Sequence, residues 1–270
     1  KKESIESFYR KKMKEIESSP FFDAKLIERS PVYHIINLYK NYIGDDITEG
    51  KKTIIKSALA QNFGYYHYNI MGERDGQWGC AYRVIQMVLS SYRIRNMRDD
   101  DPTIDTIQKR LYEMGRLPKE KLGTDVWVEP PDCHAYVTNV LKLPSLEMNY
   151  GEIKQRQPYE IAVLPKNEEG RNVLVKHMYN HFETYGTPIM IDDGLKAYGI
   201  GGIRTVQDEN NRSWTECLRL DPHQYEYMTL ESYKALLEKR TPNNYVKWMP
   251  IDEIFYSKGW MLCFPQIELF

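Results

Sequence analysis

"GQWGCAYRVIQMVLSSYR", residues 76–93, sets a cysteine, Cys80, between a Trp-Gly pair and an apolar run. Val84, Ile85, Met87, Val88 and Leu89 make that run apolar over a broad face, which predicts a largely buried helix over residues 81–95. The N-terminus of a helix offers amide N–H groups without intrahelical acceptors and the positive end of the helix dipole, and both favour a thiolate. Gly79 removes a side chain beside the sulfur, so a substrate backbone could approach, and Trp78 could wall the cleft. The bland alternative is that Cys80 packs the helix end as a small hydrophobe. A second motif has to decide.

That motif is "LRLDPHQ", residues 218–224. Asp221 and His223 are two apart in what reads as extended chain leaving a strand, so period-two alternation puts both side chains on one face. Pro222 restrains the backbone between them and holds Asp221 out of the helical region. Asp221 could then accept from one imidazole nitrogen and leave the other to face a thiol. Nucleophile, base and orienter are the groups that acyl transfer requires. Alone, Asp-Pro-His would more often be a turn; coupled to Trp-Gly-Cys it carries weight. An oxyanion donor could come from "GYYHYN", where Tyr68 stands upstream of the cysteine. Aromatic packing is the better reading for Tyr65 and Tyr66.

The bulk properties fit this picture. The chain has 270 residues, 41% of them hydrophobic and 28% charged, with a formal net charge of −1. That is a globular composition with no electrostatic reason to expect nucleic acid or an anionic membrane surface. No apolar run approaches the ~20 residues of a membrane helix, and there is no signal-peptide core. The chain begins with Lys rather than Met, so an upstream part is expected. Cys80, Cys133, Cys217 and Cys263 contain no CxxC pair and no disulfide-framework spacing, which points to a reducing, cytosolic or cytosol-facing compartment.

Residues 1–18 place Ile5, Phe8, Tyr9, Met13 and Ile16 at helical spacing. We therefore expect an N-terminal helical lead-in over 1–58 and a main domain over 59–270. Further helices are expected at 102–115, 131–141 and 168–185, and strands at 159–165, 187–192, 197–206, 214–223 and 260–265. Helices mainly first and strands mainly later argue an α+β fold. His177 and His181 lie four apart but lack the glutamate of a zinc-protease helix, so a solvated or half-buried helix face is the better reading. "GIGG" at 199–202 lacks dinucleotide-fold spacing.

"YHYNIMGERDGQWGCAYRVIQMVLSSYR" with "LRLDPHQ" resembles the peptidases specific for the ubiquitin-fold modifier, a papain-like cysteine protease family. The matching positions are Tyr68, Trp78, Gly79, Cys80, Ala81, Tyr82, Arg83, Gln86, Asp221, Pro222 and His223. The resemblance covers about residues 62–266. It implies a papain-like α+β fold with an antiparallel sheet in the second half, and a thiol isopeptidase that matures the modifier precursor and releases it from conjugates. Cys80 would be the nucleophile, His223 the base, Asp221 its orienter and Tyr68 an oxyanion donor, with no metal or organic cofactor. Trp78, Gly79 and Trp127, the last in "GTDVWVEP", would bind the modifier's tail. Its partners would be the modifier and its conjugates. An upstream portion in such proteins often recognises partners or reaches the endoplasmic reticulum, so a membrane-anchored adaptor and the cytosolic face of that membrane enter as expectations. Two departures stand out. The family usually has Gly where this chain has Gln77, and it has a glycine cluster followed by histidine where this chain has Asp192, Asp193, Gly194 and then Tyr198. Three alternatives stay open: a ubiquitin-chain deubiquitinase, an autophagy-modifier protease, or a module that binds the modifier without turnover.

Overall fold

The computed structural model describes residues 50–61, 63–69, 73–95, 102–152, 162–224 and 245–267. The helix expected over 1–18 lies outside them. In chain order the elements are β1 (Lys52–Leu59), α1 (Cys80–Arg95), α2 (Ile104–Glu113), a single 3-10 turn (Lys119–Lys121), α3 (Pro130–Asn139), β2 (Ser145–Gly151), β3 (Ala162–Leu164), α4 (Glu168–Thr184), β4 (Ile189–Asp192), β5 (Ala197–Asp208), β6 (Ser213–Leu220), β7 (Val246–Pro250), α5 (Ile251–Ile254) and β8 (Gly259–Pro265).

The helices start where side chains satisfy their first amides. Thr103 accepts from Thr106 N at the head of α2, and Asn167 accepts from Gly170 N at the head of α4. At α3, Glu129 and Asp132 form a reciprocal capping box ahead of Pro130 and Pro131.

The strands form one sheet in the order β3-β2-β8-β4-β5-β6-β7, with β1 also paired to β5. Strand β5 is long enough to take two partners on one side: β4 pairs with Ala197–Ile200, and β1 pairs with Gly202–Asp208. The sheet is antiparallel except at β2–β3, which run parallel. The expected boundary at 59 is therefore corrected. Residues 52–58, assigned to the lead-in, form most of β1 and belong to the sheet.

Alternation along the strands divides the core. Ile189, Ile191, Leu262 and Phe264 join Leu174, Met178 and Phe182 of α4 on one face. Met190, Ala197 and Cys263 join α1, α2 and α3 on the other. Burying all these side chains out of water supplies the main stabilisation, at about 25 cal/mol per Å² of apolar surface. The glycines of "GIGG" serve packing. A Cβ at Gly199 would crowd Leu220 and Met87 Sδ at 3.2 and 3.3 Å, and one at Gly202 would lie 2.5 Å from Leu59. Helix α1 thus sits tightly on β5, which brings its N-terminus toward the end of β6.

Candidate active site

Cys80 is the first residue of α1 and is 9% exposed. Gly79 precedes it as the helix cap: its carbonyl accepts from Arg83 N at 3.0 Å. Helical geometry leaves the amides of this first turn without intrahelical acceptors, so they point past the sulfur. The other three cysteines are wholly buried. Burial pushes the Cys217 thiol up, and Cys133 is raised by its hydrogen bond to Cys263 and then by burial. Neither has the exposure a nucleophile needs.

The Cys80 thiol faces the imidazole of His223 and lies near enough to help hold the proton of that ring. Nδ1 of that ring lies 2.6 Å from Asp221 Oδ1, which leaves Nε2 as the nitrogen for the thiol. The same Oδ1 accepts the backbone N–H of His223 at 3.0 Å, so a two-residue turn fixes the pair. Burial is the largest single influence on the ring and opposes its charge. Hydrogen bonds and charge interactions with Asp221 and Cys80 together outweigh it, and the imidazole is pushed up to about 9.

Two tyrosines upstream hold this turn in place. Tyr65 is fully buried and donates its hydroxyl to Asp221 O at 2.5 Å, and Tyr68 N donates to Pro222 O at 3.0 Å. The Tyr68 ring meets His223 edge-on, with centroids 5.3 Å apart and planes at 82°. The structure therefore brings Tyr68, Cys80, Asp221 and His223 together. Tyr65, expected only to pack, also anchors the turn.

The loop before Cys80 is held by Asp75 and Glu73, which pair with Arg83 of the helix motif. Asp75 is fully buried and takes Arg83 in a two-pronged pair, Nε to Oδ2 at 2.8 Å and Nη2 to Oδ1 at 2.6 Å. Its Oδ1 also accepts Asn69 N, and its carbonyl accepts from Gly79 N and Trp78 N. Arg83 Nη1 reaches Glu73 Oε2 and Gln86 Oε1, both at 2.9 Å. The Arg and Gln of the helix motif thus tie the preceding loop to α1 and fix where the sulfur sits. The acidic residues of "GERDGQWGC" were the available signal, since a buried Arg demands a carboxylate.

Gly79 calls for a correction. A Cβ there would lie 2.1 Å from Asp75 Oδ2, and the residue is buried. Its missing side chain makes room for Asp75, not for a substrate backbone. Gln77 has φ +84°, the left-handed region, which is the physical reason a glycine suits that position.

Trp78 is half-buried and packs edge-on against Tyr82, with centroids 5.7 Å apart. Tyr82 donates to Val126 O at 2.9 Å, so the segment carrying Trp127 is tied to α1, and Trp127 itself stands 55% exposed. Asp192, at the end of β4, is buried and accepts Gly194 N at 2.6 Å. Burial pushes its carboxyl up to about 7; the Gly194 hydrogen bond and His223 oppose that rise, and Glu129 and Asp193 add to it. His181 is a core residue bonded through Nε2 to Thr187 O at 2.9 Å, whereas His177 is exposed, so the two do not converge.

A nucleophile, base and orienter on this scaffold match one family across most of the chain: the profile of peptidase family C78 covers residues 55–255. The chain belongs to peptidase family C78. It is similar to the probable Ufm1-specific protease 2 of Drosophila pseudoobscura, at 26% identity over 245 residues, covering 89% of this chain and 35% of the relative. With the human Ufm1-specific protease 2 it shares 28% identity over 273 residues, covering 96% of this chain and 51% of the relative. The chain thus spans about half the length, or less, of these curated relatives. UfSP from C. elegans has the same fold, with a TM-score of 0.55 at 23% identity over 79% of this chain and 35% of that one. The papain-like α+β expectation holds.

Proposed function

We propose that this C78 chain is a cysteine peptidase acting on Ufm1, a ubiquitin-fold modifier, at the C-terminal glycine of its precursor and at its isopeptide bonds to target lysines. The observation that carries the reading is the chain of contacts from the Cys80 thiol through the His223 ring to Asp221. Nε2 takes up the thiol proton first, and the sulfur freed of it attacks the carbonyl carbon while the ring holds that proton. The tetrahedral oxygen is held by the Cys80 amide and the Tyr68 hydroxyl. Collapse expels the amine, which takes its proton from Nε2, and water then releases the acyl group by the same steps in reverse roles. Asp221 keeps the imidazole in the tautomer this requires.

Trp78 and Trp127 supply the aromatic walls for the tail of the modifier. The names of the relatives favour Ufm1 over ubiquitin or autophagy modifiers, and the filled catalytic positions favour turnover over binding alone. Four free cysteines agree with a reducing, cytosolic setting. An adaptor at the cytosolic face of the endoplasmic reticulum belongs to the same reading, and it is tested by recovery of the chain with membranes only when the adaptor is present.

Fusion precursors of Ufm1, ubiquitin and an autophagy modifier, offered side by side with a Cys80→Ala control, test the assignment. Cleavage of the Ufm1 fusion alone, lost in the variant, is expected. Cleavage only of another fusion would overturn the substrate, and tight binding without any cleavage would favour a binding module.

A further inference from the structure

Two side chains beside the site are given no role by the family motif. Arg219 lies on β6 two residues before Asp221. Its guanidinium is 3.3 Å from Asp221 Oδ2 and 5.5 Å from the centre of the Tyr198 ring. Tyr198, on β5 and 7% exposed, packs against His223 with ring centroids 5.4 Å apart and planes tilted by 54°, and its other neighbours include Trp260 at 6.3 Å. Arg219, Asp221, His223 and Tyr198 therefore close a ring of contacts.

We propose that Arg219 is a positioning residue for the Cys80–His223 pair, and that Tyr198 is the platform that holds it there. The inference rests on the catalytic reading given above. The Asp221 carboxylate is anchored on both oxygens: Oδ1 by the His223 backbone and ring, and Oδ2 by Arg219. With both ends held, the carboxylate has one plane, and Oδ1 meets Nδ1 in line. With Oδ2 released, the carboxylate can rotate about Cβ–Cγ, and the imidazole loses its fixed direction toward the sulfur. The guanidinium also draws on the charge of Asp221, which loosens the hold of the imidazolium on its proton. That proton must leave for the amine in each turnover.

The groups facing the imidazole are Asp221 just beyond β6 with Arg219 of β6 behind it, Cys80 from α1, Tyr68 from the upstream loop, Tyr198 from β5 and Asp192 from the end of β4. Asp193 and Glu129 act on it through Asp192. Arg219 is the cation in that set. Its loss should therefore raise the proton affinity of the ring, whereas loss of a merely structural residue would leave the titration where it was.

The test is the titration of the His223 ring followed by NMR, with cleavage of the Ufm1 fusion measured in parallel, for the wild type, Arg219→Met, Arg219→Lys, Tyr198→Phe and Tyr198→Leu. In Arg219→Met the ring should titrate higher by roughly half a unit to one unit, and kcat/KM should fall about tenfold. Arg219→Lys should restore the titration but only part of the rate, because an ammonium lacks the flat fork that stacks and pairs. Tyr198→Leu should follow Arg219→Met, whereas Tyr198→Phe, which keeps the ring beside the guanidinium, should keep the wild-type titration of His223. An unchanged ring titration in Arg219→Met, or losses that track thermal stability alone, would overturn the inference. Wild-type protein that cleaves nothing would instead overturn the catalytic reading, while the NMR arms would still decide whether Arg219 orients the ring.

Discussion

Gly79 and Asp75 occupy one space: the carboxylate of Asp75 sits where the side chain of residue 79 would be, 2.1 Å from the position of a Cβ. The glycine next to the proposed nucleophile is thus required by a buried ion pair behind it, and the loop geometry follows from that pair. Gly79→Ala should destabilise the fold by about 3 kcal/mol, as overpacking into a fixed backbone does. It should also displace Cys80. Urea unfolding checks the first and the rate of thiol alkylation checks the second.

Arg83 is fully buried against Asp75 and also reaches Glu73 and Gln86. Arg83→Met leaves a buried carboxylate without its partner, which costs about 3–5 kcal/mol. Arg83→Lys should recover little, since a point charge cannot make the two-pronged contact. Denaturation midpoints of the two variants should therefore lie close together and far below that of the wild type.

Gln77 holds φ +84° on an exposed turn. A non-glycine residue in this region costs about 1–3 kcal/mol, and glycine adds about 0.4–1 kcal/mol of unfolded-chain entropy. The first effect is the larger, so Gln77→Gly should raise the melting temperature by a few degrees with cleavage unchanged. A lower melting temperature would contradict the strain.

The His223 ring, pushed up to about 9, carries its proton at neutral pH and loses it as the pH rises through that value. In the proposed mechanism the leaving amine takes its proton from this ring, so kcat/KM should fall on an alkaline limb near pH 9. Asp221→Asn removes the charge that holds the proton and should move that limb toward acid, with a rate loss of about a thousandfold or more. Rate–pH profiles of the two proteins decide it.

Asp192 also binds its proton more tightly in the folded state, so its linkage to stability has the same sign as that of His223. Its folded value, about 7, lies above the ordinary 3.8, so the folded state binds the extra proton. The protonated carboxyl is accommodated at low pH, and stability is lost as the pH rises from about 4 through 7. Asp192→Asn keeps an oxygen for the Gly194 amide and should flatten that dependence, with the largest gain in unfolding free energy above pH 7.

The meeting of Cys80, Asp221 and His223 was legible in the sequence because each lies in a short motif with a marked local backbone: a helix start and an Asp-Pro-His turn. Helices α1 to α4 were legible from apolar spacing. The strands β1, β2 and β7 were not singled out, although Leu146, Met148 and Tyr150 of β2 alternate as a strand should. Arg219 and Tyr198 could not be placed in advance, and which acid of "GERDGQWGC" takes Arg83 shows only in the fold. Their roles arise from pairing across the fold, and Asp75 looks like any turn residue until Arg83 is seen buried against it. Gly79 was misread for the same reason, since a missing side chain says nothing about which neighbour fills the gap.

In the proposed reaction the sulfur at position 80 is the nucleophile, and the imidazole at position 223 serves it. An electrophilic probe built on the Ufm1 tail, followed by intact-mass and peptide analysis, addresses it most directly. A single adduct on Cys80 is predicted, absent in Cys80→Ala and slowed at least a hundredfold in His223→Ala. Adducts on Cys133, Cys217 or Cys263, or labelling of Cys80 at the same rate without His223, would contradict the account.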